Sequence, residues 1–218
     1  MRTPLAFIIL LSLGTMPASA SDLDANFLIK REGKVIGFHR VDVEDTEDGQ
    51  RVETTIRMRV KLGPIPVFRY DHASVEEWRD GELVSLMSTT KRNRKEMFVR
   101  AARTEAGFEI EGTQYAGLAP EGALPSSYWK KDLVSAESMI NTQHGKILDI
   151  EVTPLGLTTA EHGQTAEEYK LVSTDLLHLW YDGPRWVGAR FTVDGEELVY
   201  ELDESDEREY ARLDERAD

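Results

Sequence analysis

The stretch Arg51-Val-Glu-Thr-Thr-Ile-Arg-Met-Arg-Val-Lys-Leu62 alternates without a break. Val52, Thr54, Ile56, Met58, Val60 and Leu62 fall on one side; Arg51, Glu53, Thr55, Arg57, Arg59 and Lys61 fall on the other. Successive side chains of a strand point to opposite faces, so the pattern predicts a strand with one buried and one wet face. An antiparallel sheet covered on one side only has this property.

The same alternation recurs along most of the chain. Strands are predicted over 26–30 and 35–44 around a turn at Glu32-Gly33, then over 67–78 and 82–90 around Asp80-Gly81. Further strands are predicted over 97–103, 107–114, 146–153, 168–173, 176–181, 185–193 and 196–202. Asp182-Gly183-Pro184 and Asp194-Gly195 supply two more turns. Crossover helices are missing from this pattern, which excludes a parallel α/β fold. Hairpin-linked strands pair in sequence order, and so wide a twisted sheet curls. The expected fold is therefore all-β and mainly antiparallel: a strongly curved meander sheet or incomplete barrel of about eleven strands.

One stretch departs from the alternation, Ser126-Ser-Tyr-Trp-Lys-Lys-Asp-Leu-Val-Ser-Ala-Glu-Ser-Met-Ile-Asn-Thr-Gln-His-Gly145. In a helix over 127–141, Trp129, Leu133, Ala136 and Ile140 fall on one stripe. Ser126 or Ser127 would cap its start. A single amphipathic helix in a curved sheet is expected to plug the sheet's open inner face, and 141–145 to form the exit turn.

The ends carry separate signals. Arg2, the apolar run Leu5 to Met16 and the small residues Pro17-Ala-Ser-Ala20 read as a signal peptide cleaved after residue 20. That apolar run is too short to span a membrane, which takes about 20 residues. No transmembrane segment is expected in the mature chain, which is read as exported and periplasmic. One domain is expected over 21–203, followed by an acidic tail over 204–218 that forms a loose helix or stays disordered.

Composition narrows the chemistry. The formal net charge is −14, against the basic surface that nucleic-acid binding requires. There are no cysteines, so thiolate catalysis, disulfide exchange and cysteine metal sites are excluded. The five histidines, His39, His72, His144, His162 and His178, show no metal-ligand spacing, and no metal or cofactor is expected. No G-x-S-x-G elbow or dinucleotide fingerprint occurs. His39 shares parity with Val35, Val41 and Val43 and is expected to face inward; His178 shares parity with Leu176 and Trp180. Phe68, Tyr70, His72 and Trp78 share one strand face, and Trp180, Tyr181 and Trp186 bracket a turn. These rings either fill a core through cross-strand pairs or line an apolar pocket.

The motifs Ile36-Gly-Phe-His39, Ser127-Tyr-Trp129, Asn141-Thr-Gln-His-Gly145, Leu179-Trp-Tyr-Asp182 and Asp194-Gly195 with Tyr200 carry a resemblance. Together they resemble a family of uncharacterised exported proteins of Gram-negative bacteria. The resemblance implies an architecture similar to periplasmic lipoprotein-carrier half-barrels, and no activity. His144 stands where that family more often has a threonine. The expected role is a non-enzymatic binding or carrier module for an apolar small molecule or lipid of the envelope. The expected ligand-binding residues are His39, Tyr70, Trp129, Asn141, Gln143 and Trp180. A structural domain that binds another envelope protein is one alternative, and a hydrolase using His39 with a neighbouring carboxylate is another.

Overall fold

Left-handed backbone makes two of the tight turns between neighbouring strands. Glu32 and Gly33 have φ of 50° and 73°, and Asp80 and Gly81 have 51° and 81°. Two successive residues at positive φ match the right-handed twist of the strands they join. The computed structural model describes residues 21–62, 65–193 and 195–203. The expected signal peptide, the Gly63-Pro64 break, the Asp194 turn position and the acidic tail beyond residue 203 lie outside the described residues.

The first half of the chain forms β1 (Ala25–Arg31), β2 (Lys34–Thr46), β3 (Gly49–Leu62), β4 (Ile65–Arg79), β5 (Glu82–Arg92), β6 (Lys95–Thr104), β7 (Gly107–Gly112) and β8 (Ala116–Leu118). A middle segment forms β9 (Leu124–Pro125), a 3-10 helix (Lys131–Ser135), β10 (Ser138–Ile140) and β11 (Ile147–Asp149). The second half forms β12 (Glu151–Thr159), β13 (Thr165–Val172), β14 (Leu176–Asp182), β15 (Arg185–Val193) and β16 (Glu196–Leu202). Among the described residues there are thus sixteen strands rather than the expected eleven or so, mainly because short strands occupy the middle segment.

Thirteen of the strands make one antiparallel sheet, in the order β12-β13-β14-β15-β16-β1-β2-β3-β4-β5-β6-β7-β8. Sequence-adjacent strands pair as expected, with one addition. β16 pairs with β1, setting Phe27 opposite Leu202 and Ile29 opposite Tyr200. This joins the two halves of the meander side by side and leaves β8 and β12 as the edges. Those edges do not pair with each other among the described residues, so the curved sheet stays open. The register of β3 on β4 places Ile56 opposite His72 and Met58 opposite Tyr70, on the inner face predicted from alternation.

The middle segment packs inside the sheet as a second, three-stranded unit in the order β11-β10-β9. Here the expected helix over 127–141 is corrected. Only Lys131–Ser135 is helical; Lys130 and Ala136 are extended, and Tyr128 is left-handed with φ 63°. Ser138, Met139 and Ile140 are all buried, which one helical stripe does not allow, and they pair with β9 and β11 instead. The left-handed turn sets the Tyr128 ring against Trp186 and Phe191, at centroid distances of 5.8 and 5.4 Å. The Tyr128 carbonyl accepts a hydrogen bond from the Tyr181 hydroxyl at 2.7 Å. Trp129, Leu133 and Ile140 are buried nonetheless, so the stripe marks the anchoring residues without being a helix.

The anchor of this insert is a carboxyl group. Glu76, on the inner face of β4, is fully buried. Its Oε2 accepts hydrogen bonds from the indole N–H of Trp78 and from that of Trp129, both at 2.9 Å. The two indoles meet edge to face at 5.7 Å, and the Lys130 ammonium lies over both rings. Burial pushes the Glu76 carboxyl above its usual range, and the indole donors pull it part of the way back. Replacing Glu76 with Ala strands two buried N–H groups at a cost of about 2–5 kcal/mol in unfolding free energy. Glu76→Gln keeps an acceptor and should lose less than half as much. Urea denaturation of both variants checks this; equal stability of wild type and Glu76→Ala would show that the clamp is not an anchor.

Candidate functional site

Between the insert and the sheet lies a cavity of about 810 Å³. Its walls come from the inner faces of β2–β6 on one side and β14–β16 on the other, with the insert closing a third. Ile56, Met58, Met97, Leu177, Phe191 and Leu198 make its lining largely apolar. The size lies within the range of small-molecule sites, and so does the mix of apolar wall with a few convergent polar groups. A second depression, of about 790 Å³, crosses β3–β6 and is bordered by the ion pairs of Arg59 and Arg69 with Asp71 and of Lys91 with Glu96. Its floor is formed by charged and hydroxyl side chains rather than an apolar wall, so the apolar cavity is the stronger candidate.

Four of the six residues expected from sequence line the cavity: His39, Tyr70, Asn141 and Gln143. His39 is 2% exposed and sits in a nest of rings, edge-on to Trp186 at 5.1 Å, Tyr200 at 5.7 Å and Phe27 at 6.2 Å. Burial, with a smaller contribution from His72, lowers its pKa to about 3, so the imidazole is neutral. A neutral imidazole has one donor and one acceptor. Neither ring nitrogen of His39 has a hydrogen-bond partner in the protein. Its neighbour His72 differs: Nδ1 lies 2.8 Å from the Thr90 hydroxyl, and burial lowers the pKa to about 4. Tyr70 stacks on His72 with centroids 6.4 Å apart, and burial raises its phenol, which stays a neutral donor.

Asn141 and Gln143 belong to the turn that ends the insert. Asn141 Oδ1 accepts from the Gln143 N–H at 2.9 Å, and the Asn141 carbonyl accepts from the Gly145 N–H at 2.8 Å. Gly145 is needed there: φ is +85°, and a Cβ would meet the Gly112 backbone at 3.1 Å. The Ser88 hydroxyl donates to the Thr142 carbonyl and ties the turn to β5. The amide edges of 141–145 therefore face the cavity from a turn fixed at both sides. His144 accepts from the Lys146 N–H at 3.3 Å, and burial with the nearby Lys146 and Lys95 lowers its pKa.

Trp129 and Trp180 do not line the cavity. Trp129 is spent on Glu76, behind the insert. On β14 the cavity-lining residue is Leu177, and His178 and Trp180 have the opposite parity, which places them on the far face of the sheet. There the Trp180 indole donates to the Thr158 hydroxyl at 2.8 Å, and His178 Nδ1 lies 2.6 Å from Glu168. Sequence reasoning missed Glu76, although its parity on β4 matches that of Tyr70, His72 and Trp78. A carboxylate in that aromatic row was the available signal. Among the described residues, no group of three or more His, Asp or Glu side chains forms a metal site, and no helix is long and apolar enough to cross a membrane.

The two buried histidines make stability depend on pH. Unfolded, each titrates near 6.5. Below that pH the unfolded chain binds protons that the folded chain refuses, so stability present above pH 6.5 is lost as pH falls toward 4 and then 3. Each histidine adds a slope of up to about 1.4 kcal/mol per pH unit in that window. Urea unfolding from about pH 7.5 to about pH 5 should show the loss, and His39→Phe, which keeps a ring in the nest, should remove one histidine's share of it. A wild-type slope in His39→Phe would contradict the assignment.

The fold is shared more widely than the sequence. The crystal structure of a beta-barrel-like protein of the domain of unknown function DUF1849 from Brucella abortus is similar, with a TM-score of 0.60 at 8% identity. The match covers 83% of this chain and 94% of that one. At that identity the likeness concerns the fold alone. Comparison with the curated proteins finds no match. The sequence profile of DUF6134, a domain of unknown function, matches residues 27–203, from β1 to just past β16. The chain therefore belongs to the DUF6134 family.

Proposed function

We propose that this protein is a non-enzymatic binding or carrier module that holds an apolar or amphipathic molecule in the cavity. The observation that carries the reading is the cavity itself: about 810 Å³ of largely apolar space with a neutral, buried and unpartnered His39 in its wall. A buried polar group without a partner costs free energy, and a ligand hydroxyl or carbonyl would supply the partner. A hydrolase built on His39 finds less support, because no carboxylate hydrogen-bonds to either ring nitrogen. The signal-like residues 1–20 support an exported, periplasmic location, where such a ligand would be an envelope component.

Two measurements test this. N-phenyl-1-naphthylamine, a neutral probe that fluoresces in apolar surroundings, should bind the purified protein at one equivalent. Leu198→Trp, which adds a large ring from a half-buried wall position, should abolish binding; undiminished binding to that variant would place the probe elsewhere and remove the support for the cavity. For location, the chain recovered from a periplasmic fraction should begin at Ser21. Recovery of only an uncleaved cytoplasmic chain would overturn export.

A further inference from the structure

The wall and the mouth of the cavity carry opposite chemistries. The deep lining is apolar, whereas Arg31, Arg92, Lys95 and Lys146 border the opening. Two carboxylates, Asp175 and Glu196, stand among them, and Arg31 pairs with Glu196 at 2.8 Å. Lys95 and Lys146 line it together with His144, and the charge of each acts on that imidazole. Both are exposed, and neither has an ion-pair partner among the described residues. The Arg92 guanidinium sits 5.8 Å from the centroid of the half-buried Phe68 ring, where the apolar wall reaches the mouth. The chain as a whole carries a charge of −14, so an excess of cations around one opening runs against its composition.

Resting on the reading of the cavity as a binding site, we propose that its ligand is an anionic amphiphile. The apolar body lies along Met58, Met97, Leu177 and Leu198, and a carboxylate or phosphate head sits at the mouth against Lys95, Lys146 and Arg92. The geometry orients the molecule, head at the opening and tail toward His39. A neutral lipid would leave the lysines unmatched, and a cationic one would face repulsion from them. A small free anion would gain nothing from the apolar wall.

Displacement of N-phenyl-1-naphthylamine tests this with four amphiphiles below their micelle-forming concentrations: dodecanoate, dodecyl phosphate, monolauroylglycerol and dodecyltrimethylammonium. Inorganic phosphate serves as a head group without a tail. The two anionic amphiphiles should displace the probe at concentrations about tenfold lower than the neutral and cationic ones. The double variant Lys95→Glu/Lys146→Glu should weaken the anionic amphiphiles about tenfold and leave monolauroylglycerol within about twofold. Arg79→Glu, at the other end of β4, should change neither. Dodecyl phosphate outcompeting dodecanoate assigns a phosphate-bearing lipid, and the reverse order assigns a fatty acid; both support the proposal. Failure of every amphiphile to displace the probe overturns the cavity reading itself. Equal displacement by neutral and anionic amphiphiles leaves that reading in place and overturns the anionic head. Displacement by inorganic phosphate alone overturns the requirement for a tail.

Discussion

The pairing of β1 with β16 sets the rest of the structure. A meander closed only by its own hairpins would place its free edges at the two ends of the chain. Pairing the first strand with the last moves the edges to β8 and β12, in mid-sequence. The residues between those strands then begin and end at the open seam, and the short path inward carries β9–β11 against the inner face of the sheet. A segment this short has too few residues to bury a stripe of its own, so its structure is dictated by what it meets there. Packing against the sheet draws Met139 and Ile140 into strand pairing and leaves only five residues helical.

The inner face is correspondingly divided. Where the insert docks, the sheet presents buried polar groups that meet it directly: Glu76 holds the Trp129 indole, and Ser88 holds the Thr142 carbonyl. Buried polar groups are tolerated when they are satisfied, and the insert supplies Glu76 Oε2 with one of its two donors and the Ser88 hydroxyl with its acceptor. Away from the insert the face is mostly apolar, with His39 and Tyr70 as its polar points, and opens into the cavity. One sheet thus contains two kinds of interior, one packed against the protein's own segment, the other hollow.

Alternation and turn chemistry made the long strands legible, because a period of two and a pair of left-handed turn residues are local properties. Glu32-Gly33 and Asp80-Gly81 fall where they were expected, and Tyr70 and His39 face inward as their parity requires. What was not legible depends on partners distant in sequence. The β1–β16 pairing leaves no local mark, and the Trp129–Leu133–Ala136–Ile140 spacing suits a helix as well as it suits a 3-10 turn followed by a strand. Parity also gives two faces without saying which is inner. His178 and Trp180 have the parity of Leu176, and only the register on β13 and β15 shows that Leu177 holds the cavity side. Of the six residues expected in the site, the two that fall outside it are the tryptophans, whose ring area suits a pocket and a core equally well and whose N–H found partners elsewhere.

His39 and His72 make the sharpest contrast within the interior. They occupy equivalent inward positions two strands apart, and both are neutral through burial. His72 has the Thr90 hydroxyl, so its burial is compensated. His39 has only rings around it and space in front of it. Leaving a buried nitrogen unpaired costs about 1–3 kcal/mol, and a phenyl ring at the same place would remove that cost while keeping the aromatic contacts. Stability alone therefore favours phenylalanine at position 39, and the imidazole makes physical sense where something entering the cavity can use its donor or its acceptor. The proposed tail-inward orientation brings the inner part of the ligand to that nitrogen, and a polar group partway along the tail would satisfy it.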